Sequence, residues 1–153
     1  MTDIAYRLPT STTVGALQDS LVELIDLSLQ AKQAHWNVTG PAFKPLHEFL
    51  DEMTVEYRGW YDDVAERITA LGGTPDGRTT TVVAHTPLGQ LPEGSLRDAE
   101  LVPLFLERVE TVATRIRERL GPVGEVDPVT QDLLIGIVHG LDKQALMLRA
   151  QRT

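Results

Sequence analysis

Three breaks containing Gly and Pro divide this chain into four long stretches whose apolar residues recur at the 3.6-residue spacing of an α-helix. The breaks are Gly40-Pro41, Gly72-Gly73-Thr74-Pro75 and Gly121-Pro122-Val123-Gly124. No stretch alternates convincingly with a period of two, so the expected class is all-α. The first helix is expected over about 14–38, with Leu17, Leu21, Leu24, Ile25 and Leu29 on one stripe and capping hydroxyls at Ser11, Thr12 and Thr13. The second is expected over about 43–71, where Pro45 sits in the first turn and loses no amide partner. A third, over about 96–120, carries Val102, Phe105, Val109, Val112 and Ile116. A fourth, over about 128–150, carries Leu133, Leu134, Ile137, Val138, Leu141, Ala145 and Leu148. Residues 74–95 are rich in Gly, Pro and Thr and read as a long connection; Thr80 to Ala84 is assigned to loop, with room in the segment for a short helix. Two hairpins joined this way make a four-helix bundle with a long crossover connection between helices 2 and 3. One domain over 1–153 is expected, with a short N-terminal arm over about 1–13.

Composition removes several function classes. The absence of cysteine excludes disulfides, thiolate catalysis and cysteine-based zinc or iron–sulfur sites. No apolar run approaches the roughly 20 residues that cross a bilayer. The start, MTDIAYRLPTSTT, lacks the basic-then-apolar pattern of a signal peptide, so a cytoplasmic location is expected. Net charge is −8, from 22 acidic and 14 basic side chains, which repels phosphate backbones unless the basic residues cluster. The densest basic groups are Arg115, Arg117 and Arg119, and Arg149 with Arg152. Glu118 and Glu110 accompany the first group, which reads as a solvated helix face.

The second helix carries the chemistry. On a wheel of about 100° per residue with His47 at zero, Asp51 falls near 40°, Asp62 near 60° and Glu66 near 100°. Phe49, Leu50, Met53, Tyr57, Trp60, Val64, Ile68 and Leu71 gather between about 200° and 320°, and Glu48, Glu52, Glu56 and Asp63 between about 100° and 180°. Three stripes result: core, ligand and acidic. His35, beside Trp36 near the end of the first helix, is close enough in the chain to join His47. Imidazole with carboxylate is a ligand set for a first-row metal such as iron or manganese. The ligand stripe lies off the core stripe, so a metal held by it is not inside this bundle. Asp51 and Asp62 are about 16 Å apart along the axis at 1.5 Å per residue, whereas metal–ligand bonds are about 2 Å. One ion cannot join them within a chain. A two-fold axis beside the helix would set Asp62 and Glu66 of one subunit against His47 and Asp51 of its mate, giving two equivalent sites per dimer. The competing structural reading is that both pairs are solvated, since a carboxylate four positions from a histidine is common on exposed helices. By similar reasoning His85 is expected to be solvated, His139 to be packed, and the acidic stripe to face water.

The run KQAHWNVTGPAFKPLHEFLDEM, the Asp62/Glu66 pair leading into ERITALGG, and the ending DLLIGIVHGLDKQALMLRA resemble the Dps family of ferritin-like mini-ferritins, over essentially the whole chain. The resemblance implies a hollow homododecamer that oxidises Fe(II), preferentially with hydrogen peroxide, and stores the ferric product. It implies that His35, His47 and Asp51 of one subunit and Asp62 and Glu66 of the two-fold mate form the ferroxidase site, with up to two irons per site. Trp36 matches the tryptophan beside that site, where it passes or traps an electron, with packing its competing role, and Lys32 is placed to pair with the site's carboxylates. Glu48, Glu52 and Glu56 become candidates for nucleating mineral on the cavity wall. Glu125, Asp127 and Asp132, around the start of the fourth helix, become candidates for lining a three-fold pore, with a helix cap the competing role for Asp127.

The chain departs from the DNA-condensing members of that family, whose mobile tails are rich in lysine or arginine. Its N-terminal arm has only Arg7 against Asp3, and little follows the fourth helix, which makes direct DNA binding doubtful. Two competing readings remain for experiment: a nucleoid-associated, DNA-binding protective protein with secondary iron chemistry, and a shell that binds zinc or another ion without turnover.

Overall fold

The computed structural model describes residues 11–152. Five helices form among them: α1 (Ser11–Asn37), α2 (Phe43–Ala70), α3 (Thr79–His85), α4 (Asp98–Gly124) and α5 (Pro128–Ala150). Helices α1 and α2 pair as one hairpin and α4 and α5 as another, with α1 lying against α4. Their apolar stripes meet in one core, in which Leu17, Leu24, Leu50, Met53, Tyr57, Phe105, Ile116, Leu134 and Leu148 are fully enclosed. No helix among the described residues is long and apolar enough to cross a membrane. Residues 1–10 of the expected arm lie outside the described part, and Ser11, Thr12 and Thr13 form the first turn of α1 rather than a cap before it.

The crossover contains α3, where the sequence favoured loop. Asp76 sets it up by accepting the Arg78 N–H at 3.2 Å and the Thr81 hydroxyl at 2.8 Å, while Val82 is buried beneath. The segment is tied to α1 by Gln18, which donates to Asp76 O at 2.8 Å and accepts Asp76 N–H at 2.9 Å. Further along, Arg108 of α4 donates to the Gly89 and Gln90 carbonyls and to Gln30 of α1. Two two-residue strands, β1 (Val38–Thr39) and β2 (Leu96–Arg97), pair in parallel and fasten the α1–α2 turn to the start of α4. Pairs this short leave no periodic signature in sequence.

Three other expectations change. Helix α4 continues through the Gly121–Gly124 break, where Val123 is buried in the core and Gln131 of α5 donates to the Leu120 carbonyl at 3.1 Å. His139 is exposed rather than packed, since Ile137, Val138 and Leu141 take the core-facing positions of α5. Arg115 and Arg119 do not make a solvated face: both reach Glu23, a buried carboxylate of α1, at 2.5 Å and 2.7 Å. Arg117 and Arg149 remain on the surface, paired with Asp142 and Glu110.

Candidate metal centre

The α1–α2 turn brings His35 and His47 face to face. Their rings stack with centroids 3.7 Å apart and an interplanar angle of 17°. His35 Nδ1 lies 2.7 Å from the His47 carbonyl, and His47 Nδ1 lies 2.7 Å from the His35 carbonyl. A carbonyl oxygen only accepts, so both Nδ1 atoms carry the proton and donate. In the neutral rings each Nε2 then keeps its lone pair for a metal ion, and backbone partners of this kind fix ring orientation as well as tautomer. Phe43 closes over His47 at 5.0 Å, and both histidines are half-buried.

Asp51 lies one turn beyond His47 on α2, half-exposed and bonded to Lys32 Nζ. The hydrogen bond and charge of the Lys32 ammonium hold the Asp51 carboxyl below the usual carboxylate range, against the opposing effect of burial. A cationic side chain therefore already sits on this carboxylate. Asp62 and Glu66 are both exposed and lie far down α2 from the histidine pair. Among the described residues no three His, Asp or Glu side chains converge on one point. His47 with Asp51 and Asp62 with Glu66 thus stand as two separate groups along α2.

Trp36 is 68% exposed, so it serves no packing role within the subunit. It borders a surface groove of about 580 Å³ between α1 and the crossover, together with the exposed Leu29 and Val83. The expected apolar stripe of α1 thus loses Leu29 to the outside. On α2 the acidic residues Glu48, Glu52 and Glu56 are exposed; Glu48 is near Lys44, and Glu56 accepts from Gln144 at 3.3 Å.

Comparison with known proteins gives this arrangement a lineage. The profile of the ferritin-like domain matches residues 14–153. A protein named DNA protection during starvation protein 2, from Deinococcus radiodurans, is 44% identical over 95% of this chain. The chain spans only 63% of that relative's own length. The DNA protection during starvation protein of Agrobacterium fabrum is 37% identical over 92% of this chain and 87% of its own. The crystal structure of Dps92 from Deinococcus radiodurans superposes with a TM-score of 0.90 at 43% identity, covering 93% of this chain and 87% of that one. The chain belongs to the Dps family of ferritin-like proteins.

For this Dps chain the three acidic residues near the start of α5 differ in kind. Asp127 is buried and caps α5, accepting Thr130 N–H at 3.3 Å. Its other partners are the Thr130 hydroxyl and the Arg67 guanidinium, the latter at 3.0 Å. Burial alone would raise its carboxyl, but the bonds from Thr130 and Arg67 prevail and hold it below the usual range. Both oxygens are committed inside the subunit, so Asp127 is withdrawn as a pore candidate. Glu125 and Asp132 are exposed and keep that candidacy. The helix-capping signal before Pro128 was readable in the sequence, whereas the Arg67 partner, from another helix, was not.

Proposed function

We propose that the protein oxidises Fe(II) at sites shared between two subunits and stores the ferric product inside a hollow dodecamer. The observation that carries this reading is the cross-bonded His35/His47 pair, which leaves two Nε2 lone pairs free one helical turn from Asp51 and lacks the oxygen donors to complete a site. Asp62 and Glu66 of a two-fold mate supply them. Pairing His47 with Glu66 and Asp51 with Asp62 across antiparallel α2 helices gives both pairs the same midpoint, between Glu56 and Tyr57. At that level the ligand stripe presents Val55, Arg58 and Gly59, all exposed, as a surface on which two copies of α2 can meet.

Iron is the substrate. Carboxylate oxygens favour Fe(III) over Fe(II), so the donor set favours oxidation, and a site with few ligands leaves room for the oxidant. Hydrogen peroxide is the preferred oxidant: two Fe(II) each give one electron, the O–O bond breaks, and two protons complete two waters. No hydroxyl radical leaves such a two-electron step. Lys32 must release Asp51 as iron enters. Trp36, next in sequence to His35 and open to the surface, is placed to take up a stray oxidising equivalent. Glu48, Glu52 and Glu56 offer an oxygen surface for mineral growth, and Glu125 and Asp132 a route of entry. The names of the relatives point to protection, and a cytoplasmic setting suits peroxide removal.

The test is anaerobic addition of Fe(II) followed by peroxide, reading ferric absorbance, peroxide consumed and particle mass. Soluble, iron-loaded particles of dodecameric mass are expected. An Asp62→Ala, Glu66→Ala double variant that oxidised iron at the parental rate would refute the shared site. Zinc that bound without competing with iron would argue for a separate role for the histidine pair.

A further inference from the structure

Helix α2 begins without a cap of its own. The residue before it is Ala42, whose side chain offers no acceptor. Asp98 of α4 instead takes the N–H of Ala42 itself on Oδ2 at 2.7 Å, one of the N–H groups that the start of α2 leaves without a helical partner. The same carboxylate receives Ala99 N–H on Oδ1 at 2.8 Å, so one side chain serves the first turns of two helices. It fits there because position 40 is glycine. Gly40 has φ of +117°, and a Cβ at that position would lie 2.6 Å from Asp98 Oδ1. The parallel β1–β2 pair and the Thr39 hydroxyl, 3.3 Å from the Leu96 carbonyl, hold the same turn from its other end.

That turn is the only covalent link between the helix ends bearing His35 and His47. Their reciprocal bonds to one another's carbonyls survive only if the last turn of α1 and the first turn of α2 keep their relative position. We propose that Asp98 is a positioning residue for the histidine pair: a carboxylate from α4 that caps α2 across the turn and thereby keeps both Nε2 atoms presented together. It touches no metal and acts through the backbone at Ala42. The reading rests on the metal-binding role proposed for His35, His47 and Asp51, and adds that the site's geometry is set partly by the other hairpin.

The test uses the full chain, with Co(II) as a probe ion that peroxide is not needed to observe. Asp98→Ala is expected to weaken Co(II) binding about tenfold, the lower range for losing an outer partner of a metal ligand, and to alter the Co(II) visible spectrum. Asp98→Asn keeps an oxygen that can accept Ala42 N–H, so it should restore both to near the parental values. Amide exchange over residues 38–47, measured without metal, should rise in Asp98→Ala and fall back in Asp98→Asn. Should Asp98→Ala not fold, Asp98→Glu drives the carboxylate into the Gly40 space and is expected to weaken Co(II) binding severalfold. Parental Co(II) affinity and spectrum in a folded Asp98→Ala protein would overturn the proposal, as would unchanged exchange over 38–47. If the parent binds no Co(II) that His35→Ala, His47→Ala removes, the iron reading itself fails and this proposal with it. That result is distinct from parental binding that Asp98→Ala leaves untouched.

Discussion

If each site draws its ligands from two chains, two inactive variants should restore one another when mixed. Take subunits carrying His47→Ala, Asp51→Ala and subunits carrying Asp62→Ala, Glu66→Ala. Each alone breaks both sites of its own two-fold dimer. In a mixed dimer the losses fall together: one site has both halves damaged, and the other combines the intact histidine half of one chain with the intact carboxylate half of the other. Random pairing at equal ratio makes about half the dimers mixed, and half the sites in those dimers are whole. The expected recovery is about one quarter of the parental site number. The premise is geometric, since Asp51 and Asp62 stand about 16 Å apart on one rigid helix at 1.5 Å per residue. The assay is the initial rate of peroxide-dependent ferric absorbance on co-expressed, tag-selected assemblies, at matched protein and iron. A site contained within one chain predicts no recovery, because no chain in the mixture is whole. Activity of the mixture no higher than the better of the two variants would refute the shared site.

Lys32→Gln removes the ammonium that holds Asp51, so Co(II) binding at the histidine half-site should tighten severalfold and depend less on ionic strength; weaker binding in titration would show that Lys32 assists the metal instead. Asp127→Ala strands the largely buried Arg67 guanidinium and removes the α5 cap, and should cost about 3 kcal/mol in chemical or thermal unfolding. The depressed Asp127 carboxyl stabilises the fold fully above its unfolded value of about 4, and that contribution should disappear as pH falls through the lower folded value. A parental acid-unfolding midpoint in the variant would contradict this. On DNA, Arg117 and Arg149 are already paired with Asp142 and Glu110, and the net charge is −8, so a gel-shift assay at low salt should show no retardation; a salt-sensitive shift would favour the nucleoid reading.

Much of this could be read from the chain because helices announce themselves locally. The apolar stripe of α2 predicted Leu50, Met53, Tyr57, Val64 and Ile68 as core, and all five are buried. The same wheel separated His47, Asp51, Asp62 and Glu66 from that core. Less visible were features depending on contacts between distant segments. Helix α3 rests on a few side chains, chiefly Asp76 and Val82, and is too short to show a period. The Gly121–Gly124 break failed as a stop because Val123 found a place in the core and Gln131 of α5 tied down the Leu120 carbonyl. Glu23 drew Arg115 and Arg119 inward across about 90 residues of chain, and no local pattern records that pull.

The sequence by itself determined the four long helices, the core they share and the separation of His47 and Asp51 from Asp62 and Glu66 along α2, because rise and angle per residue are constants of the α-helix. It also carried the family resemblance. Only the tertiary structure decided that His35 and His47 stack and bond to one another's carbonyls, and that Asp98 reaches across from the other hairpin to the turn between them. Those are distances between residues on different elements, and they exist only after the hairpins have packed.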